Sequence, residues 1–183
     1  VLSLEPPGEQ SPDAYSYDPR DPVPTCGGPL CCWPATLKPG VVDQRPVEAR
    51  NDVLVYTSAT LDQDLEVTGP ITVSLWAASS APDTDFTAKL VDVSADGFAR
   101  NLCDGIIRGR YRESLSSPRL SQPGQVYQYS IDLTATSNLF RRGHRLRLEI
   151  ASSNFPRFDR NPNTGHPFGH DAELRPAAQT VYH

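Results

Sequence analysis

The sequence predicts an all-β domain, a sandwich of antiparallel sheets, and three observations support this. Strand-like segments recur at short intervals, turn signals separate them, and no window keeps a helical period of 3.6 residues. The predicted strands are Val53–Ser58, Leu65–Val67, Ile71–Ser79, Phe86–Val93, Ala99–Arg112, Val126–Asp132, Arg145–Ser152 and Thr180–His183. The turn signals are Thr68–Pro70, Ser80–Thr84, Pro123-Gly124 and Arg142-Gly143. One short turn of helix is expected within Leu133–Phe140.

The segment Asp83–Arg112 is the clearest predicted hairpin. Its first half alternates apolar and polar side chains, which is the two-residue period of a strand. Ser94–Gly97 contains the Asp-Gly pair typical of tight turns, and a bulge is expected near Gly105. The alternation is cleanest in Arg145–Ile150, where the aliphatic side chains should face inward and the charged ones, Glu149 among them, outward.

The first forty residues have a different composition from the rest of the chain. They hold half of the eighteen prolines. Proline cannot donate to a ladder, so a regular sheet is not expected there. We interpret residues 1–40 as a Pro-rich extended arm laid over another surface, and residues 41–183 as the sandwich domain.

Composition excludes several classes of function. The net charge of −5 and the scattered basic residues argue against a nucleic-acid partner. No apolar run approaches the roughly 20 residues of a membrane span. Adjacent Cys31 and Cys32 would form a strained bridge, and Cys103 is expected to be a buried apolar residue. We therefore expect a reduced, cytoplasmic protein.

Two clusters of potential metal ligands were considered. His166, His170 and Asp171 have a spacing that could bind a metal on a helix, but Pro167 and Gly169 interrupt it. We expect solvated loop histidines there, no metal and no cofactor.

The acidic residues of the hairpin invite a similar comparison. Asp83 and Asp85 resemble the start of a calcium loop that no glycine or distal glutamate completes. We expect Asp85 to brace a loop by accepting backbone N–H bonds. Asp92 should face the core and pair with Arg108 or Arg110 across the hairpin, because a buried carboxylate needs a partner.

Two irregular segments are candidate sites. The first, Gly27–Trp33, has an apolar tip with little reason to face water, and it would serve as a docking plug or line a pocket; its candidates are Leu30, Cys31, Cys32 and Trp33. The second, Ser152–Gly165, could dock on another domain, stack a sugar ring, or form plain turns. Its candidates are Asn154, Phe155, Phe158, Asp159 and Asn161.

Several blocks of sequence resemble a known family. They are YDPRDPVP at Tyr17–Pro24, DQRPVEARNDVLVYTS from Asp43, LEVTGP from Leu65, the hairpin Asp83–Arg112, and SSNFPRFDRNPNTG at Ser152–Gly165. Long and in order, these blocks resemble the C-terminal domain of the cocaine esterase and X-Pro dipeptidyl-peptidase family of serine hydrolases.

The resemblance implies a jelly-roll sandwich, like a galactose-binding domain, without catalytic residues. The family's nucleophile, acid and histidine precede the matched region, and this chain has neither G-x-S-x-G nor a βαβ pattern to carry one. The implied partner is the α/β-hydrolase catalytic domain of a parent enzyme acting on an ester or an X-Pro peptide. The domain would stabilise that partner, and Leu30–Trp33 would lie near its acyl pocket.

Alternatives remain open at this point. A free-standing carbohydrate- or ligand-binding jelly roll would expose an aromatic platform at Trp33, Trp76 or Phe155, whereas the missing elbow argues against an independent hydrolase. The chain starts at Val1 and contains no methionine, so we expect a fragment or a processed product. By resemblance, a further strand follows Thr180–His183. Without it an edge would be exposed, and homo-oligomers could form.

Overall fold

The computed structural model describes residues 8, 11–30, 37–167 and 169–183. Within them lie β1 (Asp13–Tyr17), α1 (Arg45–Glu48), β2 (Leu54–Thr57), β3 (Leu65–Ser79), β4 (Asp85–Val93), β5 (Ala99–Arg108), a 3₁₀ helix (Gly109–Tyr111), β6 (Tyr127–Phe140), β7 (Arg145–Ala151) and β8 (Ala177–Tyr182). The two helices are four and three residues long, too short to cross a membrane.

The strands form two four-stranded sheets. The first sheet has the order β1-β8-β3-β6 and the second the order β2-β7-β4-β5. Neighbours pair antiparallel, the first strand with the eighth, the second with the seventh, the third with the sixth, and the fourth with the fifth. This nested pairing, wound into two sheets, is a jelly roll. The predicted sandwich and the jelly roll implied by the resemblance are both confirmed.

The main core lies between the two sheets. Phe86 of β4 and Ile150 of β7 face Tyr129, Ile131 and Leu133 of β6, and all five are 1% exposed or less. Phe86 and Tyr129 are in tilted contact, with ring centroids 4.7 Å apart. The two-residue period predicts that alternate side chains share one face, and in these strands those side chains lie in one apolar layer.

Gly105 marks a close approach of strands rather than the expected bulge. It pairs in register with Ala88, and the register of β4 and β5 shifts between Leu90 and Val91 instead. A Cβ on Gly105 would lie 1.9 Å from the carbonyl oxygen of Asp132 in β6. Glycine is needed there because the backbone of β6 passes directly against β5.

The prediction of helix within Leu133–Phe140 was wrong, because this segment is the second half of β6. It pairs with the start of β3, and β3 continues through the predicted turn at Thr68–Pro70. The register shifts between Pro70 and Thr72, and Thr134 has a φ of +69°. A sheet can accommodate a proline at an irregularity of this kind, and the two-residue alternation of both strands is interrupted there.

The arm also contains a strand that was not expected. The proline-free segment Asp13–Tyr17 is β1 and pairs with β8. Further along the arm, Val23 packs with Val47, Val53 and Ala151, and Cys26 lies against this cluster. The described arm thus covers the outer face of its own second sheet; its contact with a catalytic domain stays a prediction.

Candidate functional site

Two glycines close the loop that carries the first candidate segment. The N–H of Gly28 donates to the carbonyl of Gly40 over 2.8 Å, and Gly40 returns the bond to Gly28 over 2.9 Å. Gly27 has a φ of +72°, and a Cβ there would lie 2.5 Å from the Gly40 oxygen. Only glycine fits this narrow crossing, which we call the neck (Gly27, Gly28 and Gly40).

The loop beyond the neck holds the first four candidates. Leu30 is half-buried, and its N–H donates to the Gly28 carbonyl over 2.8 Å. Cys31, Cys32 and Trp33 lie outside the described residues. The described part of the loop therefore leaves the neck in a folded-back conformation.

Strand β5 anchors the neck to the second sheet through one buried side chain. Asn101, 6% exposed, donates from Nδ2 to the Gly40 carbonyl over 3.2 Å. Its Oδ1 accepts the N–H of Val42 over 2.7 Å. Because both ends of this amide are used, the neck has a fixed position on the sheet.

The second candidate segment lies beside the arm, next to the neck. The N–H of Thr25 donates to the Phe155 carbonyl over 2.7 Å, and Phe155 donates to the Val23 carbonyl over 2.9 Å. These bonds join the arm to Phe155, which lies 130 or more positions later in the chain. The composition of neither the arm nor the second candidate segment predicts this pairing.

Asp104 of β5 binds the second candidate segment by its side chain. Its carboxylate, 6% exposed, accepts the Asn154 amide over 2.9 Å and pairs with the Arg157 guanidinium. A Cβ on Gly28 would lie 3.6 Å from Nη1 of Arg157. Asn154 is therefore a buried structural contact of the neck region.

The two predicted stacking residues each carry a cation on one ring face. The Arg160 guanidinium lies 5.8 Å from the centre of Phe155, and that of Arg157 lies 4.8 Å from the centre of Phe158. Phe155 is 38% exposed. Each ring therefore already engages a guanidinium by a cation–π contact, which leaves less open face for a sugar.

The hairpin carboxylates form a separate buried cluster at the other end of Ser152–Gly165. Asp85 accepts two bonds from Arg108 over 2.9 and 3.0 Å, and Asp83 accepts Arg110 Nε over 2.8 Å. The Asn161 amide bridges both carboxylates, over 3.0 Å to Asp83 and 2.8 Å to Asp85. The cluster ties β4, β5 and the long loop together.

Two expectations about these acids were wrong. Asp92 pairs with His144 over 2.8 Å and lies 3.7 Å from Arg100, rather than pairing with Arg108 or Arg110. The register sets Arg100 directly opposite Asp92, and Arg108 lies at the far end of the strand.

Asp85 was expected to accept backbone N–H groups, and its partners are side chains instead. Burial raises the pKa of Asp85 to about 6, against the lowering effect of Arg108. The oxygens of Asp83 and Asp85 are engaged by arginines and Asn161. Across the described ranges, no three His, Cys, Asp or Glu residues are grouped to hold a metal ion.

A cleft of about 280 Å³ opens beside this cluster. Asp159 and Asn161 line it with Arg108 and Arg110, so the structure separates these two candidates from Asn154 and Phe155. His166 lies at its rim and bonds to Asp171 over 2.9 Å. The second candidate segment thus divides into a part at the neck and a part at the cleft.

The described cysteines are not activated as nucleophiles. Burial raises the pKa of Cys26, and it raises the pKa of Cys103 to about 11. Cys103 is 6% exposed, as its interpretation as a buried apolar residue predicted. In the part of the chain that the structure describes, no hydrogen bond links a serine hydroxyl to a histidine ring.

With the geometry in place, the chain can be compared with known families. The sequence profile of the X-Pro dipeptidyl-peptidase C-terminal non-catalytic domain matches residues 2–183. The chain belongs to this family. The resemblance inferred from the sequence blocks is therefore confirmed, and the matched family is a non-catalytic one.

Relatives of this X-Pro dipeptidyl-peptidase C-terminal domain are hydrolases. The cocaine esterase of Rhodococcus sp. strain MB1 Bresler is 52% identical over 165 residues, which cover 90% of this chain and 28% of the esterase. A putative serine esterase of Mycobacterium bovis is 32% identical over 133 residues, covering 63% of this chain and 21% of that protein.

Solved structures agree with the sequence comparison. An aminopeptidase from a marine-sediment Thaumarchaeota archaeon superimposes with a TM-score of 0.85 at 34% identity, over 97% of this chain and 32% of that one. An α-amino acid ester hydrolase gives a TM-score of 0.86 at 33% identity, over 96% and 31%. The chain spans about a third or less of the length of these relatives.

Proposed function

We propose that this domain packs on the α/β-hydrolase catalytic domain of a serine hydrolase, stabilises it, and presents the loop 29–39 to the substrate cleft. The neck is the observation that supports this role most strongly. Two glycines in reciprocal hydrogen bonds, held by Asn101, give the loop a fixed base on the second sheet. A loop whose base is fixed loses less conformational entropy when it docks on a partner.

The parent chemistry follows from the family and from the names of the relatives. In the proposed parent, a serine attacks an acyl ester or a prolyl peptide bond and forms a covalent intermediate. Leu30, Cys31, Cys32 and Trp33 would shape the acyl pocket without taking part in bond making. The parent's choice between ester and peptide would depend on catalytic-domain residues outside this chain.

For the cellular compartment, we infer a reducing cytoplasm. The described thiols, Cys26 and Cys103, are free, as expected where disulfides are rare. No observation favours the carbohydrate-binding alternative, since Phe155 and Phe158 each stack with an arginine. Self-association remains a prediction.

A chimera tests the proposed role. This chain replaces the matching C-terminal segment of the Rhodococcus cocaine esterase, and ester hydrolysis by the chimera should persist. Trp33→Ala should then raise KM about tenfold with a smaller change in kcat, because losing a large buried apolar contact weakens substrate binding. Steady-state kinetics on the purified chimera measure both constants.

Trp76→Ala is the matched control. Trp76 is half-buried on β3, in the sheet that does not carry the neck, so its loss should lower stability and leave KM unchanged. An equal KM for Trp33→Ala and the unmodified chimera would contradict the pocket role.

The isolated chain should also take no adduct from a fluorophosphonate serine probe, as judged by intact mass. A stoichiometric adduct would overturn the non-catalytic assignment.

A further inference from the structure

Two glutamates meet beneath the arm, on the outer face of the second sheet. Glu48 ends α1 and Glu149 lies on β7, and their side chains are 9% and 4% exposed. The sequence places Glu149 on the face away from the main core, and it does point that way. The arm then buries it.

One oxygen of each carboxyl group has a cationic partner. Glu149 Oε2 lies 3.2 Å from Lys89 Nζ, and Glu48 Oε2 accepts Arg147 Nη1 over 2.6 Å. The second oxygen of each group, Oε1, is also buried and has no hydrogen-bond partner within the described part of the chain. A buried acceptor without a donor destabilises the folded state.

Arg147, which binds Glu48, and Glu149 are two residues apart on β7, so their side chains lie on the same face of the sheet. The two carboxyl groups are close enough that Glu48 contributes to the raised pKa of Glu149. Two ionised carboxylates would oppose acceptor to acceptor and repel, whereas a single proton converts the contact into an O–H···O bond. A nearby cavity of about 20 Å³ has room for one water. Glu149 lines this cavity and Glu48 does not, so a water there would leave Glu48 Oε1 without a donor.

We propose that Glu48 and Glu149 share one proton, and that this bond fastens α1 and the arm to the second sheet until the proton leaves. The clasp, defined as these two residues, joins the first helix after the neck to the middle of β7. When the proton leaves, two like charges face each other in a buried site, and α1 is pushed from the sheet. This is a pH-sensitive device, independent of the proposed partner.

The surrounding charges agree with one proton in the clasp. Burial raises the pKa of Glu149 to about 7, with Glu48 adding to the increase and Lys89 opposing it. Lys89 also donates to the Gln44 amide oxygen over 2.5 Å. Asp104, opposite Lys89 in register, is neutralised by Arg157.

On the arm, Cys26 is the remaining titratable group beside Lys89 and Glu149. Burial raises the pKa of its thiol, so it stays neutral at physiological pH. Arg147 on β7 is held by Glu48 over 2.6 Å. The carboxyl pair is therefore the group of this face that changes charge near neutrality.

The clasp predicts how stability depends on pH. An unfolded glutamate titrates near 4.5, whereas the folded clasp keeps its proton to about 7. The folded state binds the proton across that interval, so the free energy of unfolding should fall as pH rises from about 4.5 to about 7 and be level above it. Urea unfolding of the full chain at pH 5 to 8.5 measures this slope.

Glutamine imitates the protonated acid and should remove the slope. Glu149→Gln keeps an acceptor for Lys89 and gives a donor to Glu48, so at pH 8 its folding equilibrium should exceed the wild-type value at least about tenfold. At pH 5 the folding equilibria of the wild type and Glu149→Gln should agree closely. Glu48→Gln should behave alike, and Glu66→Gln, an exposed residue on β3, should leave the profile unchanged.

A direct titration keeps the proposal falsifiable if a variant folds poorly. Carboxyl carbons of ¹³C-labelled glutamate are followed by NMR in the wild-type chain from pH 4 to 9. A clasp resonance titrating near pH 7, absent from both glutamine variants, supports the shared proton. Titration of both residues in the ordinary glutamate range, or parallel stability profiles for wild type and Glu149→Gln, overturns it.

Discussion

Replacing Gly105 by alanine should be the most damaging single-atom change in this domain. A Cβ at that position would lie 1.9 Å from the Asp132 carbonyl oxygen and 2.8 Å from its carbonyl carbon. Both are backbone atoms of β6, so no side chain can rotate away. Overpacking a core typically costs about 1–3 kcal/mol, and a clash between two strand backbones should reach about 3 kcal/mol or more. Urea unfolding monitored by circular dichroism measures the loss.

Two other glycines provide controls for this prediction. A Cβ on Gly109 would meet the Thr84 oxygen at 3.0 Å, and one on Gly8 meets nothing within 4 Å. Their alanine variants should show an intermediate loss and almost no loss, respectively. If Gly105→Ala proved as stable as Gly8→Ala, β5 and β6 could not approach each other so closely.

Asp85→Ala should be comparably damaging, with a loss of about 3–5 kcal/mol. The substitution removes two hydrogen bonds, of 2.9 and 3.0 Å, from an Arg108 side chain that is 17% exposed. It also removes an acceptor from the buried Asn161 amide. Breaking a buried charged pair is costly because the remaining charge stays in a site of low polarity. Equilibrium unfolding at pH 7 measures this free energy.

Asp159→Ala is the matched control, because Asp159 binds the same guanidinium. Its bond to Arg108 is 3.1 Å long, yet its side chain is 56% exposed. Exposed ion pairs contribute about 1 kcal/mol or less. Equal losses for the two variants would mean that the burial of Asp85 does not set the strength of its pairing.

The strands that could be predicted are those with uninterrupted alternation. β4 and β7 follow from their two-residue period, and β5 follows from the Asp-Gly turn before it. β1 was missed because prolines on both sides of its five residues argue against a sheet. The second half of β6 was missed because Thr134, with its positive φ, breaks the period where β3 also becomes irregular. Both errors arise where long-range pairing outweighs local composition.

The candidate site was predictable as separate segments but not as an assembly. Local composition predicts Leu30 and Phe155 as candidates, but Phe155 reaches the arm through backbone bonds to Val23 and Thr25 that composition does not reveal. Asn101, which anchors the neck, and Asp104, which binds Asn154 and Arg157, were not predicted as site residues. Polar side chains within a strand that also carries buried Cys103 were the available signal, since a buried polar group requires a partner.

The nested pairing of the jelly roll also has a kinetic consequence. The β4–β5 hairpin closes a connection of five residues, 94–98, whereas β1 and β8 join positions as distant as Asp13 and Val181. The entropy cost of closure grows with the length of chain enclosed, and ladders between distant segments form slowly. The flexible chain between the two strands of an outer pair becomes shorter only after the strand pair inside it has formed. We therefore expect the chain to assemble from its middle outward, with the arm and its neck joining the sheet last.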